Sequence, residues 1–149
     1  MRAAALLLAA ALGTVAVPPA AAQTQVPSEV VDAFHYALKS GDRRKALEQL
    51  TADVVIFEQG KLDRTRTEYA RKHLAEDIGF ATVTQRTVAR RSVKLQGNVA
   101  WVTSVNRTRG KFKNRSVDFT TDETMILTRV GGKWRIVHIH WSFDDKVVH

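Results

Sequence analysis

Residues 134–143, with the sequence WRIVHIHWSF, decide the fold of this chain. They are mostly β-branched or aromatic and follow a Gly131-Gly132 turn signal, which predicts a strand near the C-terminus. Both alternating sets of side chains are largely non-polar, whereas a strand covered on one face alternates apolar with polar residues. One set is Val137, Ile139, Trp141 and Phe143, and the other is Trp134, Ile136, His138, His140 and Ser142. We therefore expect helices on one face of this strand and a second subunit or further protein on the other.

Residues 1–22 have the pattern of a secretory signal peptide. One basic residue precedes an Ala/Leu-rich apolar run, and three alanines predict cleavage after Ala22. A Pro-Pro pair interrupts the run before it reaches the roughly 20 apolar residues that a membrane span needs. We expect a periplasmic or secreted protein with no membrane span, folded as one domain over residues 23–149.

The composition excludes several classes of site. The chain has no cysteine, so a thiol nucleophile, a zinc ribbon, a thiol redox site and a lipoprotein anchor are ruled out. The formal net charge of +8 permits anionic partners without requiring them. In the basic stretch over residues 107–115 only Phe112 interrupts the charges, whereas single-stranded nucleic-acid sites interleave more aromatic side chains. We predict either a solvated basic hairpin or a contact to anionic envelope lipid, and no nucleic-acid partner.

Apolar periodicity predicts three helices, over about residues 29–39, 43–50 and 68–78. The predicted N-caps are Ser28, Asp42 and either Thr65 or Thr67. Gly41 and Gly79 are predicted to end the first and third helices. Strands are predicted over residues 54–58, 81–95, 99–109, 115–129 and 134–143. Helices followed by strands in hairpins indicate an α+β fold with an antiparallel sheet that curls around three N-terminal helices.

The parity of the two middle strands predicts which side chains face the helices. Over residues 99–109 and 115–129 the odd positions carry most of the apolar side chains, so these faces should point inward. This places Glu123 on an inward face, which is costly unless the carboxylate is paired or hydrogen-bonded. Glu123 is therefore either a satisfied structural acid or a functional carboxylate with a raised pKa.

The order of elements, together with several short motifs, resembles the nuclear transport factor 2-like superfamily, and most of all its SnoaL-like branch of bacterial proteins. The closing strand is also similar to the association domain of the calcium/calmodulin-dependent kinase II family. The motifs are VIFE at residues 55–58, EYARKHLAED at 68–77, AWV at 100–102, DET at 122–124 and GKWRIVHIHWS at 132–142.

The resemblance implies a cone-shaped curved sheet around the helices, a pocket at its open end, and a homodimer that packs through the sheet. Some relatives are isomerases, cyclases, dehydratases or hydrolases, and others only bind or assemble. The arginines that line the pocket of the kinase association domain correspond here to Thr103, Met125 and Trp141. The Tyr and two Asp of ketosteroid isomerases have no convincing match.

Two kinds of chemistry are open to such a pocket. Glu58, at the end of its strand, or Glu123 is a candidate general acid or base with Tyr69, His73 or His35. An apolar wall would hold a small hydrophobic ligand, although the same side chains could simply fill the core. The predicted ligand-binding residues are Phe34, Phe57, Tyr69, Trp101, Thr103, Met125 and Trp141.

A metal site is a weaker alternative. His73 and Asp77 share a helix face, and His138 and His140 share a strand face, so their imidazole and carboxylate groups suit Zn, Cu or Fe. The parity of the closing strand places its two histidines away from the helices, which argues against a common site. We predict no metal and no cofactor.

Three functions remain open at this point. The first is an exported small-molecule-binding protein with a hydrophobic pocket and no catalysis. The second is a SnoaL-like enzyme that isomerises, dehydrates or hydrolyses a small hydrophobic substrate by acid/base chemistry. The third is a structural or interaction module.

Overall fold

The structure, a computed structural model, describes residues 25–143. The predicted signal peptide and its cleavage after Ala22 lie outside the described residues. The elements follow in the order α1 (Pro27–Ser40), α2 (Arg43–Glu48), β1 (Leu50–Glu58), β2 (Lys61–Asp63), α3 (Arg66–Lys72), α4 (Leu74–Val83), β3 (Thr84–Gln96), β4 (Val99–Phe112), β5 (Arg115–Val130) and β6 (Lys133–Phe143). None of the helices between residues 25 and 143 is long and apolar enough to cross a membrane.

The six strands form one curved sheet in the order β2-β1-β6-β5-β4-β3. The helices precede most of the strands and pack on one face of the sheet, which confirms the predicted α+β class. The core between the two layers joins side chains of α1, such as Phe34 and Leu38, to side chains of β5, such as Met125 and Leu127. One pair departs from the predicted antiparallel pattern, because β1 runs parallel to β6.

The closing strand β6 lies inside the sheet, between β1 and β5, and the helices cover one of its faces. Its alternation is not continuous, because the pairing with β5 shifts register at Val137. Trp134 and Ile136 before this irregularity are buried, and so are Ile139 and Trp141 after it. The prediction that placed Trp134 and Ile136 on the face of the histidines was therefore wrong, since a single extra residue reverses the face of a strand.

The parity prediction is correct for β5 and wrong for β4. In β5 the odd residues from Thr121 to Leu127 are buried, as predicted. In β4 the buried residues are the even ones, which pair with the inward residues of β5, as Val102 does with Met125 and Ser104 with Glu123. The prediction for β4 failed because its inward side chains are small or polar, while larger apolar ones lie outside.

The first two helices follow their capping signals closely. Helix α1 begins at Pro27 with Val26 at the N-cap rather than Ser28, because proline is favoured at the first helical position, where its missing N–H costs nothing. Gly41 ends the helix with a φ of 73°, a conformation that glycine adopts without strain. Asp42 caps α2 as predicted, by accepting a hydrogen bond from the Lys45 amide.

The predicted third helix is two helices that meet at His73. Thr65 caps the first of them, as predicted, by accepting a hydrogen bond from the Glu68 amide. Gly79 does not end a helix but lies within α4, which continues to Val83. Tyr69 of the first helix and Asp77 of the second are hydrogen-bonded to each other and lie near Glu58 at the end of β1.

Candidate functional site

A cavity of about 300 Å³ lies between helices α1 and α4 and the inner face of the sheet. This volume is at the lower end of the range of small-molecule sites. Phe80 of α4 and Trp141 and Phe143 of β6 give the cavity an apolar wall. Ionisable side chains border it in two clusters, one around Glu123 and one around Glu58.

The strand register places the two acids in one row across the sheet. Glu58 is paired with Trp141, Trp141 with Glu123, and Glu123 with Ser104. Paired residues of neighbouring strands point to the same face. Glu58 and Glu123 therefore face the cavity from the same row, with the Trp141 side chain between them.

Glu123 is held by three partners. One carboxylate oxygen lies 2.6 Å from His35 Nε2 and accepts a hydrogen bond of 2.8 Å from Trp141 Nε1, while the other lies 3.3 Å from the Arg86 guanidinium. Burial alone would raise the pKa of Glu123, but the charge and hydrogen bond of His35, with help from Arg86 and Trp141, lower it to about 2. Glu123 is therefore an ionised, structurally satisfied acid that fixes His35 beside the cavity.

Glu58 and Asp77 form the second cluster, and their state is the opposite. Burial, reinforced by the charge of Asp77, raises the pKa of Glu58 to about 7. Burial also raises the pKa of Asp77 to about 6, although the Tyr69 hydroxyl donates a hydrogen bond of 2.7 Å to it. Within residues 25–143 the Glu58 carboxyl has no side-chain hydrogen bond. Both acids can therefore exchange a proton near neutral pH.

Tyr69 and His73 both affect the pKa values of this acid pair. Tyr69 is fully buried, and burial with the adjacent Asp77 raises the pKa of its phenol well above the ordinary value, so it remains a donor. His73 does not contact the pair directly; its Nδ1 lies 2.6 Å from a carboxylate oxygen of Asp63. The charge of His73 lowers the pKa of both acids and partly offsets the effect of their burial.

Four of the residues predicted for the site line the cavity: Glu58, Glu123, His35 and Trp141. Two others, Phe34 and Met125, are buried in the core, where the ring of Phe34 stacks on that of Trp141 at 6.3 Å between centroids. The inner apolar residues thus serve partly as core and partly as cavity wall.

Three of the predicted ligand-binding residues lie on the outer face of the sheet. Phe57 points away from the cavity because its neighbour Glu58 points toward it. Trp101 and Thr103 are on the odd, outward side of β4. The structure therefore does not bring Phe57, Trp101 and Thr103 to the cavity.

The residues of the metal-site alternative do not come together. His138 and His140 lie on the outer face of β6, where the His138 ring contacts Phe57, and His73 and Asp77 lie on the helical side. Within the part of the chain that the structure describes, no three His, Asp or Glu side chains are placed to hold a metal ion.

Several polar residues of the cavity were not predicted from the sequence, among them Arg86 of β3 and Asn106 of β4. Asp77 was considered only as a metal ligand. The available signal was the run of small and polar side chains at the even positions of β4, from Ala100 through Ser104 to Thr108. A buried strand face with no bulky side chain leaves a space that either a helix or a cavity occupies.

Comparison with known proteins gives consistent matches. A family model described as the SnoaL-like domain matches residues 28–145. A protein from Shewanella frigidimarina, provisionally named a ketosteroid isomerase, has a structure that is similar with a TM-score of 0.74 and 36% sequence identity, covering 76% of this chain and 92% of that chain. No protein among curated sequences matches significantly.

Two further structures are similar at lower identity, which shows the fold alone. A calcium/calmodulin-dependent kinase II hub from S. rosetta matches with a TM-score of 0.70 and 22% identity, covering 86% of this chain and all of that chain. A protein of the nuclear transport factor 2-like family from Streptomyces avermitilis, provisionally named a dehydratase, matches with a TM-score of 0.68 and 16% identity. The match covers 77% of this chain and 92% of that chain.

Proposed function

The chain belongs to the SnoaL-like domain family, and we propose that it is an enzyme that binds a small hydrophobic molecule in its cavity and moves a proton on that molecule with Glu58 and Asp77. One observation carries the proposal. Glu58 is a partly buried carboxyl that faces an apolar cavity, lacks a hydrogen-bonded partner in residues 25–143, and has a pKa raised to about 7. A raised pKa with no structural pairing is typical of an acid/base catalyst.

The acid pair can both accept and donate a proton. With pKa values near 6 and 7, Asp77 and Glu58 together hold close to one proton between pH 6 and 7. Ionised Glu58 takes a proton from a substrate carbon and returns it to another carbon, which is an isomerisation. In a dehydration, the ionised carboxyl of the pair would take a proton from a substrate carbon, and the electrons of that C–H bond would form the double bond. The protonated carboxyl would give its proton to the hydroxyl group on the neighbouring carbon, which leaves as water.

The names of two relatives support this class of reaction. The protein from Shewanella frigidimarina is provisionally named a ketosteroid isomerase, and the one from Streptomyces avermitilis a dehydratase. Either reaction needs a positioned base and acid. The first relative carries more weight, because it is 36% identical to this chain and the second only 16%.

The conversion of 3-cyclohexen-1-one into 2-cyclohexen-1-one tests the proposal. A proton leaves carbon 2 and another is added at carbon 4, and the conjugated product is measured by its ultraviolet absorbance. We expect Glu58→Gln to reduce the rate roughly 100-fold, which is the usual contribution of a general base. The control is Glu48→Gln, because Glu48 is exposed, is paired with Arg44 on its own helix and does not contribute to the pKa of Glu58 or Asp77.

Equal rates for wild type and Glu58→Gln would overturn the catalytic role. If the wild type binds the enone, as judged by NMR, without converting it, a binding protein without catalysis becomes the better account. Failure of both binding and conversion would favour a structural or interaction module.

The proposal includes a homodimer that packs through the outer face of the sheet. Phe57 is 42% exposed there, and His138, Ile126 and Trp101 follow one another in register on β6, β5 and β4. Light scattering after gel filtration should give twice the mass of one chain, and Phe57→Glu should give monomers. Val130→Glu, at an exposed turn, is the control. A monomeric wild type would contradict the dimer.

The proposal also places the protein in the periplasm or outside the cell, on the basis of the signal-peptide pattern in residues 1–22. The full chain expressed in a bacterial host should appear in the periplasmic fraction. Its mass should be that of a chain that begins at Gln23. Full-length protein that stays in the cytoplasm would contradict export.

A further inference from the structure

The cavity has a polar wall where β3, β4 and β5 lie side by side. Arg86 of β3 is paired in register with Thr108 of β4, and Asn106 of β4 is paired with Thr121 of β5. Asn106, Thr108 and Thr121 are almost completely buried, with exposures of 2%, 5% and 6%, and all four side chains line the cavity. We call Arg86, Asn106, Thr108 and Thr121 the polar wall.

Two atoms of the polar wall are buried without a hydrogen-bond partner in the described part of the chain. They are Arg86 Nε, a donor, and Asn106 Oδ1, an acceptor. Buried polar groups in folded proteins nearly always have a partner, because leaving one unpaired is costly. A polar group in the cavity, either a water molecule or part of a ligand that displaces it, would complete this wall.

The charges around the cavity indicate that this group is neutral. The guanidinium of Arg86 already faces the ionised Glu123 at 3.3 Å, so its charge is matched within the protein. Asp32 and Lys39 also border the cavity, but Asp32 is paired with Arg91 and the Lys39 ammonium donates hydrogen bonds to two backbone carbonyls. Glu58 and Asp77 add negative charge at the same cavity, which would repel an anion. Since Arg86 Nε donates and Asn106 Oδ1 accepts, a neutral hydroxyl satisfies both; with the Asn106 amide turned over, both would donate to a carbonyl oxygen.

We propose that the polar wall is the binding subsite for a neutral oxygen group, a hydroxyl or a carbonyl, of a largely apolar substrate. The inference rests on the proposed function, because it concerns the substrate of the same cavity. Strands β5 and β6 lie between Asn106 and Glu58 in the sheet, so the oxygen binds at one side of the cavity and the reacting carbon lies toward the other. The apolar body of the substrate packs on Phe80 and Trp141 between them.

Four aromatic probes of similar size test the subsite: toluene, benzyl alcohol, acetophenone and benzoate. Dissociation constants are measured by NMR titration of the wild type. We expect at least one of the neutral oxygen compounds to bind about fivefold more tightly than toluene, since one well-placed hydrogen bond contributes about 1 kcal/mol, and benzoate to bind more weakly than either. A preference for benzyl alcohol identifies a hydroxyl site, and a preference for acetophenone a carbonyl site.

Two variants test whether the preference for the oxygen compounds depends on the polar wall. Asn106→Leu keeps the size of the side chain and removes its polar atoms, so it should abolish the preference for the oxygen compounds and leave toluene binding unchanged or tighter. Thr108→Val, which is nearly isosteric, should reduce the preference and serves as a second variant if Asn106→Leu does not fold. Thermal unfolding checks that both variants are folded.

Three results would overturn the subsite: equal binding of toluene and the oxygen compounds, tightest binding of benzoate, or no binding of any oxygen compound. A preference that survives both variants would equally place the oxygen elsewhere. The outcome is separate from that of the enone assay. An oxygen preference lost in Asn106→Leu, without enone conversion, would support the subsite and refute proton transfer, and the reverse combination would refute the subsite alone.

Discussion

Glu58 and Glu123 face the same cavity from one row of the sheet, and they are in opposite electrostatic states. Glu123 accepts hydrogen bonds from Trp141 and lies within ion-pair distance of His35 and Arg86, so its pKa falls to about 2. Glu58 has the negative Asp77 as its main charged neighbour, and its pKa rises to about 7. Burial raises the pKa of both carboxyls, so the difference in direction comes from their partners rather than from burial.

This comparison separates a structural acid from a chemical one. A buried carboxylate whose oxygens are all satisfied stabilises the fold and has little tendency to take up a proton. A buried carboxyl without such partners destabilises the ionised folded state and exchanges protons near neutral pH. Glu123 thus positions His35 and Arg86, and Glu58 remains available to a substrate.

The largest expected effect is the loss of stability in Glu123→Gln. The change leaves Arg86 as an unpaired buried charge, and breaking such a pair costs about 3 kcal/mol or more in the free energy of unfolding. Urea denaturation at pH 7 measures the effect. The folded-state pKa of Glu123 lies below its ordinary value, so the contribution is present above about pH 4.5 and is lost as the pH falls toward 2.

Glu48→Gln is the matched control, because Glu48 is an exposed acid whose partner is Arg44 on the same helix. We expect a change below about 0.5 kcal/mol. Equal losses for the two variants would show that the partners of Glu123 do not set it apart.

The second effect is the pH dependence of proton transfer. Since ionised Glu58 is the base and its pKa is about 7, the rate of enone conversion should rise about 100-fold from pH 5 to pH 8 and level off above pH 8. A rate that levels off already at pH 5 would mean that the base has an ordinary carboxyl pKa and is not Glu58.

The third effect is a gain in stability of Glu58→Gln. The folded-state pKa of Glu58 lies above its ordinary value of 4.5, so the folded protein binds the proton more tightly and the wild type loses stability as the pH rises from about 4.5 to about 7. Glutamine does not ionise. At pH 8 the variant should be more stable than the wild type by about 1 kcal/mol.

Urea denaturation of Glu58→Gln and wild type at pH 8 and pH 4 measures this gain, which should vanish at pH 4, where Glu58 is protonated in both the folded and the unfolded chain. A variant that is less stable at pH 8 would indicate a structural partner for Glu58 and place it in the same class as Glu123.

The smallest effect concerns Lys61, whose charge lowers the pKa of both Glu58 and Asp77. Lys61→Gln should move the midpoint of the rate profile upward by about a third of a pH unit, since an exposed ammonium group contributes little. Lys94→Gln, on the outer face of β3, should leave the midpoint unchanged. A downward shift would contradict the electrostatic account.

The fold could be predicted from the sequence where local signals agree. Gly41, Asp42 and Thr65 are cap and turn residues whose roles follow from backbone chemistry; the first two were assigned correctly, and Thr65 was one of two predicted alternatives. The break at His73 was missed, because a histidine carries no helix-ending signal and this one is fixed by a tertiary contact with Asp63. The irregularity at Val137 was missed for a similar reason, since it depends on pairing with β5.

The candidate site was harder to predict. Glu58 and Glu123 were selected as unusual acids, but their pKa values depend on Asp77, His35 and Arg86, which are distant in sequence. The polar wall was not predicted, because the more hydrophobic side chains of β4 were assigned to the inward face. Beside the cavity the inward side chains of β4 are polar. Patterns of apolar residues identify a packed core, and they mislead where the core gives way to a site.

The most direct test is a titration of the side-chain carboxyl carbons of Glu58 and Glu123 by NMR of ¹³C-labelled protein, assigned with Glu58→Gln and Glu123→Gln. The account predicts that Glu58 titrates near pH 7 and that Glu123 remains ionised down to the acid limit at which the protein stays folded. Two ordinary titrations between pH 4 and 5, or a Glu123 that titrates above Glu58, would contradict the account.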